Sequence, residues 1–228
     1  SSVVRDNQPL RVLVTGGSQG IGLGLTQVFA SKSCNVLSVD INDDANEKLI
    51  KSPMNDKQNI HCLNLDVTDS KTAYKSVEYM IDKWNGIDIL INNVGVELAN
   101  DKQMHELPDD IWHLTMNVNI NSFFYFSKAT VIQMLKQMEK ENMKSYGDEE
   151  EDRKNFNYSI INIASPCGIM GVPNHSAYCA SKGATISLTK QMAIEYAPNI
   201  RVNAITPGPT LTENVKKVLN ENGFNENT

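Results

Sequence analysis

Short runs rich in valine, isoleucine and leucine alternate along the chain with longer helical patterns. The runs Leu10–Thr15, Asn35–Asp40, Ile60–Leu65, Ile87–Asn92, Ser159–Ala164 and Arg201–Ile205 are bounded by polar residues or glycine and read as buried parallel strands. Helical stretches lie between them, at about 20–32, 43–51, 69–84, 108–140 and 175–197. Pro108 followed by two aspartates suits the first turn of the fourth. This alternation predicts one α/β domain over residues 1–228. Its expected form is a Rossmann-like, doubly wound parallel sheet of about six strands in three α/β/α layers.

Two segments break the rhythm. Residues 139–155 hold seven acids and four bases, an acidic insertion that reads as a solvated helix end plus a mobile loop. A docking site for a basic partner is the alternative. After the last strand the pattern predicts a short helix around 212–220 and then a frayed polar tail, NENGFNENT.

Composition narrows the partners. A net charge of −6 disfavours a nucleic-acid backbone or an anionic membrane. No apolar run reaches the roughly 18 residues of a membrane span, and the N-terminal SSVVRDNQPLR lacks the apolar core of a signal peptide. Cys34, Cys62, Cys167 and Cys179 match no zinc spacing and no disulfide framework, so a reducing, cytoplasmic setting is expected. His61, His105, His113 and His175 show no metal spacing and read as surface or loop residues, with His175 placed where it could also face a substrate. No metal is expected. Trp84 and Trp112 read as helix-to-sheet packing residues.

The candidate chemistry starts at the first strand-to-helix turn, Thr15-Gly16-Gly17-Ser18-Gln19-Gly20-Ile21-Gly22. Glycine lets backbone approach a pyrophosphate, and the helix N-terminus offers free N–H groups and a positive dipole end. Asp40 closes the second strand 24 residues after Gly16. A carboxylate there can accept hydrogen bonds from ribose hydroxyls and would repel a 2′-phosphate, so NAD is favoured over NADP. Taken alone, the turn could be structural and Asp40 an ordinary strand-end acid.

Tyr178 and Lys182 stand four apart on a predicted helix and so share a face. A nearby ammonium stabilises a phenolate and can lower its pKa. The spacing is not specific: Tyr79 and Lys83 repeat it, and read as a solvated helix face. Context separates the pairs. Ser165 lies 13 residues before Tyr178, just past a strand and at the sheet edge where ligands bind. A hydroxyl there can hydrogen-bond a substrate carbonyl.

The turn TGGSQGIG, Asn92-Asn93-Val94-Gly95, Asn119, Ser165, YCASK and Pro207-Gly208 occur in order. This ordered set closely resembles the short-chain dehydrogenase/reductase family of the compact cytosolic type, over about residues 10–215. The resemblance implies a hydride-transferring oxidoreductase acting on a small alcohol or carbonyl substrate. Tyr178 would be the general acid/base, Lys182 would lower its pKa and hold the nicotinamide ribose, and Ser165 would position the carbonyl. Asn119 would bend its helix and carry a proton relay through water to Lys182. Further cofactor contacts are implied for Asp66 and Val67 at the adenine, and for Asn93 and Gly95 along the cleft. Pro207, Gly208 and Thr210 would approach the carboxamide and Thr212 the phosphates, while Ser18, Gln19, Gly20, Ile21 and Gly22 belong to the phosphate turn.

Three departures stand out. Val94 replaces the usual alanine of that turn, and the acidic stretch looks like an insertion expected on the rim opposite the catalytic edge. Only 20 residues follow Gly208, where the family has a substrate loop, further helices and a seventh strand. That leaves residues 213–228 as a shortened substrate-loop region, with the seventh strand expected to be absent and the site open. The two long helices remain, with Phe123, Phe124, Phe126, Ile186, Leu188 and Met192 as apolar candidates for a homodimer face or for the core. The alternative to an enzyme is an NAD-binding scaffold or regulatory protein that has lost turnover.

Overall fold

The sheet forms because successive side chains of its strands are apolar on both faces, as buried parallel strands require. In the computed structural model, which describes residues 4–5, 8–52, 59–98, 102–140 and 158–212, six strands pair in parallel. They are β1 (Arg11–Thr15), β2 (Asn35–Asp40), β3 (Ile60–Asn64), β4 (Ile89–Asn92), β5 (Tyr158–Ile163) and β6 (Ile200–Ile205). Their spatial order is 3-2-1-4-5-6. The register puts Val12 of β1 between Val36 of β2 and Ile89 of β4. The chain reverses its winding between β1 and β4, and such a switch point opens a crevice at the strands' carboxyl ends.

Leu13, Leu37, Leu90, Ile160 and Val202 point to one face. There they meet Val77 and Met80 of α3 (Ser70–Trp84), Phe126 and Met134 of α5 (Ser122–Lys140), and Met192 of α6 (Ser176–Tyr196). Val12, Val14, Val36, Ile91 and Ile163 point to the other, against Ala30 of α1 (Gly20–Ser31) and Leu49 of α2 (Asp43–Ile50). This is the three-layer arrangement the sequence pattern predicts. Among the described residues, no helix is long and apolar enough to cross a membrane.

Several boundaries move for identifiable reasons. The fourth strand begins at Ile89, not Ile87, because the Gln137 side chain takes both main-chain groups of Ile87, at 2.9 Å each. The next residue, Asp88, instead receives a fork from Arg11 at 2.6 and 2.8 Å. The long fourth helix is three pieces: α4 (Asp109–Met116), a π-helical turn (Asn117–Asn121) and α5. A two-residue antiparallel pairing, Val4–Arg5 with Gln8–Pro9, precedes β1 and was not predicted. The expected helix at 212–220, the tail and most of the acidic stretch lie outside the described residues.

Some expectations are corrected. Tyr79 is not on a solvated face: its hydroxyl meets His61 Nδ1 at 2.6 Å, and both rings pack edge-on to Trp84. His61 is thus a packed strand residue. Trp84 packs as expected, whereas Trp112 is 37% exposed. Phe123, Phe126 and Met192 are core residues, Leu188 packs against that core, and Phe124 faces outward.

Candidate active site

The glycine turn is built so that two segments of backbone nearly touch. A Cβ on Gly22 would fall 1.9 Å from the Gly16 carbonyl oxygen, so α1 can start here only with glycine. Gly16 and Gly20 also adopt positive φ, +63° and +52°. No side chain caps the N-terminus of α1, and no acid occupies its first turn. Its end is therefore left as an anion-attracting terminus. Asn93, at the end of β4, donates to the carbonyls of Thr15 and Gly16, both at 3.0 Å, and so locks the turn to the neighbouring strand.

Asp40 sits at the end of β2, 6% exposed. Its carboxylate accepts from Ser18 N at 3.2 Å and Asn42 N at 3.0 Å. About four acceptor positions belong to a carboxylate, so others remain. Ser18 turns its hydroxyl inward, to Ser38 Oγ at 2.8 Å and Asn46 Oδ1 at 2.5 Å. Its hydroxyl therefore points away from the turn, and its N–H is held by Asp40. Cys62 lies against the same serines, and burial pushes its thiol up to about 11. At the end of β3, Val67 is buried and Asp66 is exposed with its carboxylate folded onto Thr68, at 2.8 and 2.9 Å. The cap of α3 is Asp69.

On the other side of the switch point stand Ser165, Tyr178 and Lys182. Ser165 leaves β5 and caps a single 3-10 turn, Pro166–Gly168, accepting from Cys167 N at 3.2 Å. That turn rests directly on α6: a Cβ on Gly168 would lie 2.6 Å from the Lys182 carbonyl. Tyr178 and Lys182 project from the start of α6 on one face. The ammonium lies 5.7 Å from the Tyr178 ring centre and donates to the Ile163 carbonyl at 2.9 Å. Desolvation pulls Lys182 down to about 8, the nearby Glu97 charge opposing.

The Tyr178 phenol does not show the expected depression. Burial pushes it up, against the opposing hydrogen bond from Ser165. Lys182 reaches over the ring and spends a hydrogen bond on backbone, so in this geometry its charge does not dominate the phenol.

Asn119 is fully buried inside the π-helical turn. The irregularity expected there is present. Its amide accepts from Val96 N at 2.8 Å and donates to Val96 O at 2.9 Å and Ser181 Oγ at 3.1 Å. These bonds fix the loop after β4 against α6. A Cβ on Gly95 would lie 3.3 Å from Lys182 Nζ and 3.6 Å from Asn119 Oδ1. Behind them, Asn92 and Asn162 bond across β4 and β5 at 2.8 Å and reach Ser127 and Thr189 of the helices.

One cavity of about 920 Å³ collects Ile21, Asn93, Gly95, Ser165, Tyr178, Lys182, Pro207, Gly208, Thr210 and Thr212. Thr212 reaches to 3.5 Å of where a Gly20 Cβ would stand, beside the turn. Gly16, Ser18, Gln19, Gly20 and Gly22 belong to the adjoining turn, Asp40 meets that turn from the end of β2, and Asn119 supports the cavity without lining it. Sequence reasoning missed Thr15, whose hydroxyl accepts from Asn93 N at 3.0 Å and Val94 N at 3.2 Å. It also missed Ser181, the partner of Asn119, and Glu97. Thr15 and Ser181 lay inside the motifs already read.

The short chain dehydrogenase family model matches residues 11–223. An NAD-dependent glycerol dehydrogenase of Listeria innocua is 32% identical over 90% of this chain and 72% of its own length. NAD⁺-bound xylitol dehydrogenase superposes with a TM-score of 0.76 at 31% identity, covering 90% of this chain and 72% of that one. ElxO with NADP bound gives 0.78 at 28% identity, over 96% of this chain and 81% of that one. The chain belongs to the short chain dehydrogenase family. At that level it is a nicotinamide-dependent oxidoreductase.

Proposed function

We propose that this protein moves a hydride between NAD and the carbinol or carbonyl carbon of a small secondary alcohol or ketone, with Tyr178 as general acid/base. The observation that carries the reading is the convergence of Ser165, Tyr178 and Lys182 on the same cavity as Asn93, Gly95 and the Pro207–Thr212 segment. The dinucleotide, when bound, supplies the hydride chemistry. The uncapped start of α1 and the side-chain-free surfaces of Gly16, Gly20 and Gly22 suit its pyrophosphate. Gly95, Pro207, Gly208 and Thr210 would hold the nicotinamide half, Thr212 would reach the phosphates, and Asp66 and Val67 would flank the adenine.

Each side chain then has a definable task. Ser165 Oγ donates to the substrate oxygen and holds it beside the phenol. Tyr178 delivers the proton to that oxygen in reduction and removes it in oxidation. Lys182 binds the ribose and, once drawn off the Ile163 carbonyl, stabilises the phenolate. Asn119 keeps the Val96 loop and α6 in register, and its part in a water relay follows from the family resemblance. Asp40 favours NAD, since its buried carboxylate would repel a 2′-phosphate. ElxO holds NADP and xylitol dehydrogenase NAD⁺, so relatives of this chain use both. The four free cysteines support a reducing, cytoplasmic setting. Phe124, Ile132 and Leu135 on α5 and Ile194 on α6 are exposed and support a homodimer through these helices.

The competing reading is a dinucleotide-binding scaffold without turnover, and the upward push on Tyr178 favours it. Saturating the protein with NADH, and separately NADPH, before a panel of ketones separates the two. Turnover is expected, falling about 10²–10⁴-fold in Tyr178→Phe with NADH affinity unchanged. Normal turnover in that variant removes the role of Tyr178. Binding without turnover across the panel establishes the scaffold.

A further inference from the structure

Two polar side chains in the cavity are not used by the chemistry above. Glu97 lies in the loop after β4, and His175 stands immediately before α6. His175 Nε2 meets Glu97 Oε1 at 2.9 Å across the mouth, while Nδ1 meets the Pro173 carbonyl at 2.6 Å. A ring with hydrogen on both nitrogens satisfies both acceptors. The pair is wet: the side chains are 53% and 31% exposed.

Position ties this pair to the reacting end. His175 precedes Tyr178 by three residues, so the two lie on one side of the α6 start. Glu97 is close enough for its charge to raise both the Tyr178 phenol and the Lys182 ammonium. Apart from Lys182, the Tyr178 phenol and the Cys167 thiol, Glu97 and His175 are the ionisable groups among the described residues lining the cavity. Val96, Leu98, Ile163, Pro166 and Cys167 make the neighbouring wall largely apolar.

We propose that the Glu97–His175 pair determines substrate specificity, selecting alcohols that carry a second hydroxyl beside the carbinol being oxidised. This rests on the oxidoreductase reading and names its substrate class. A hydroxyl is both donor and acceptor. Inserted between the two in place of their direct 2.9 Å contact, it can donate to the Glu97 carboxylate and accept from the His175 Nε2–H. An alkyl group in the same place would strip water from both and return nothing. The pair therefore acts by rejecting plain alkyl substrates as much as by holding diols.

The test compares vicinal cyclopentanediol with cyclopentanol, which share a carbon skeleton. With the preferred cofactor, the diol-to-mono-alcohol ratio of kcat/KM is expected to exceed one and to fall about tenfold in Glu97→Gln and in His175→Asn. A ratio that neither substitution changes overturns the inference while leaving the oxidoreductase reading intact. The second readout is the ring-proton NMR signal of His175, assigned by its loss in His175→Asn, in NADH-saturated protein. The diol should shift it and the mono-alcohol should not. If neither alcohol nor any ketone turns over, the oxidoreductase reading fails and the NMR titration alone decides. A diol-selective shift then upholds the pair as a hydroxyl-recognition site, and an absent or unselective shift overturns it.

Discussion

Lys182 is a cation held almost out of water, 3% exposed, and it donates a hydrogen bond to the Ile163 carbonyl. Its pKa falls from 10.5 to about 8 on folding, through desolvation. Between those values the unfolded chain binds the extra proton, so this group's contribution to stability rises with pH. Below about pH 8 both states are charged and the full burial cost is present. Urea unfolding without dinucleotide should show wild type gaining up to about 3 kcal/mol on Lys182→Met between pH 8 and 10.5. A constant difference would mean that the ammonium is hydrated. Asp40 acts at the same scale. Asp40→Ala should weaken NADH binding and narrow its advantage over NADPH by about tenfold, by calorimetric titration. An unchanged preference would show that the carboxylate does not face the ribose. Both positions were legible because the residue types stand at fixed places relative to strand ends and motifs. The raised Tyr178 phenol was not, because it depends on how much water the folded cavity excludes.

Helix α1 and the turn before it show how one element depends on residues without side chains. Gly22 leaves no room for a methyl group, whereas Gly24, one half-turn on, faces open space. Gly22→Ala should cost about 3 kcal/mol by overpacking and abolish dinucleotide binding. Gly24→Ala should instead stabilise by up to about 1 kcal/mol, since alanine favours helix. Equal effects on urea midpoints would contradict this close approach. The element pattern was read well from hydrophobic runs, including all six strands. It failed where a side chain from afar changes the backbone's partners. Gln137 replaces the ladder at Ile87, and Tyr79 looked solvated because its partners His61 and Trp84 come from β3 and the end of α3.

Across the whole molecule, the proposed homodimer rests on the outward surface of the long helices. Ile194 is 78% exposed on α6, and Phe124, Ile132 and Leu135 form an apolar stripe on α5. The double substitution Phe124→Lys and Ile194→Lys should convert the proposed dimer to monomer in analytical ultracentrifugation, with little change in fold by circular dichroism. A wild type that sediments as a monomer would remove this interface. The candidate list drawn from the sequence mixed two surfaces: Phe123, Phe126 and Met192 face the core, while Phe124 beside them faces out. Apolar residues next to one another on a helix differ by about 100° in direction, and only the packing partner says which side is inside.

The sequence by itself determined the α/β class, the six strands, the glycine turn and the order of Ser165, Tyr178 and Lys182. Those features are local: a hydrophobic period, a turn that needs glycine, or a motif of fixed spacing. Tertiary structure alone decided that Ser18 turns inward to Ser38 and Asn46. It decided that Asn119 ties the Val96 loop to Ser181, and that Glu97 meets His175 across the cavity mouth. Each of these joins residues far apart in the chain, whose partners are set by how the sheet's carboxyl edge brings its loops together and by which polar groups are left without water there.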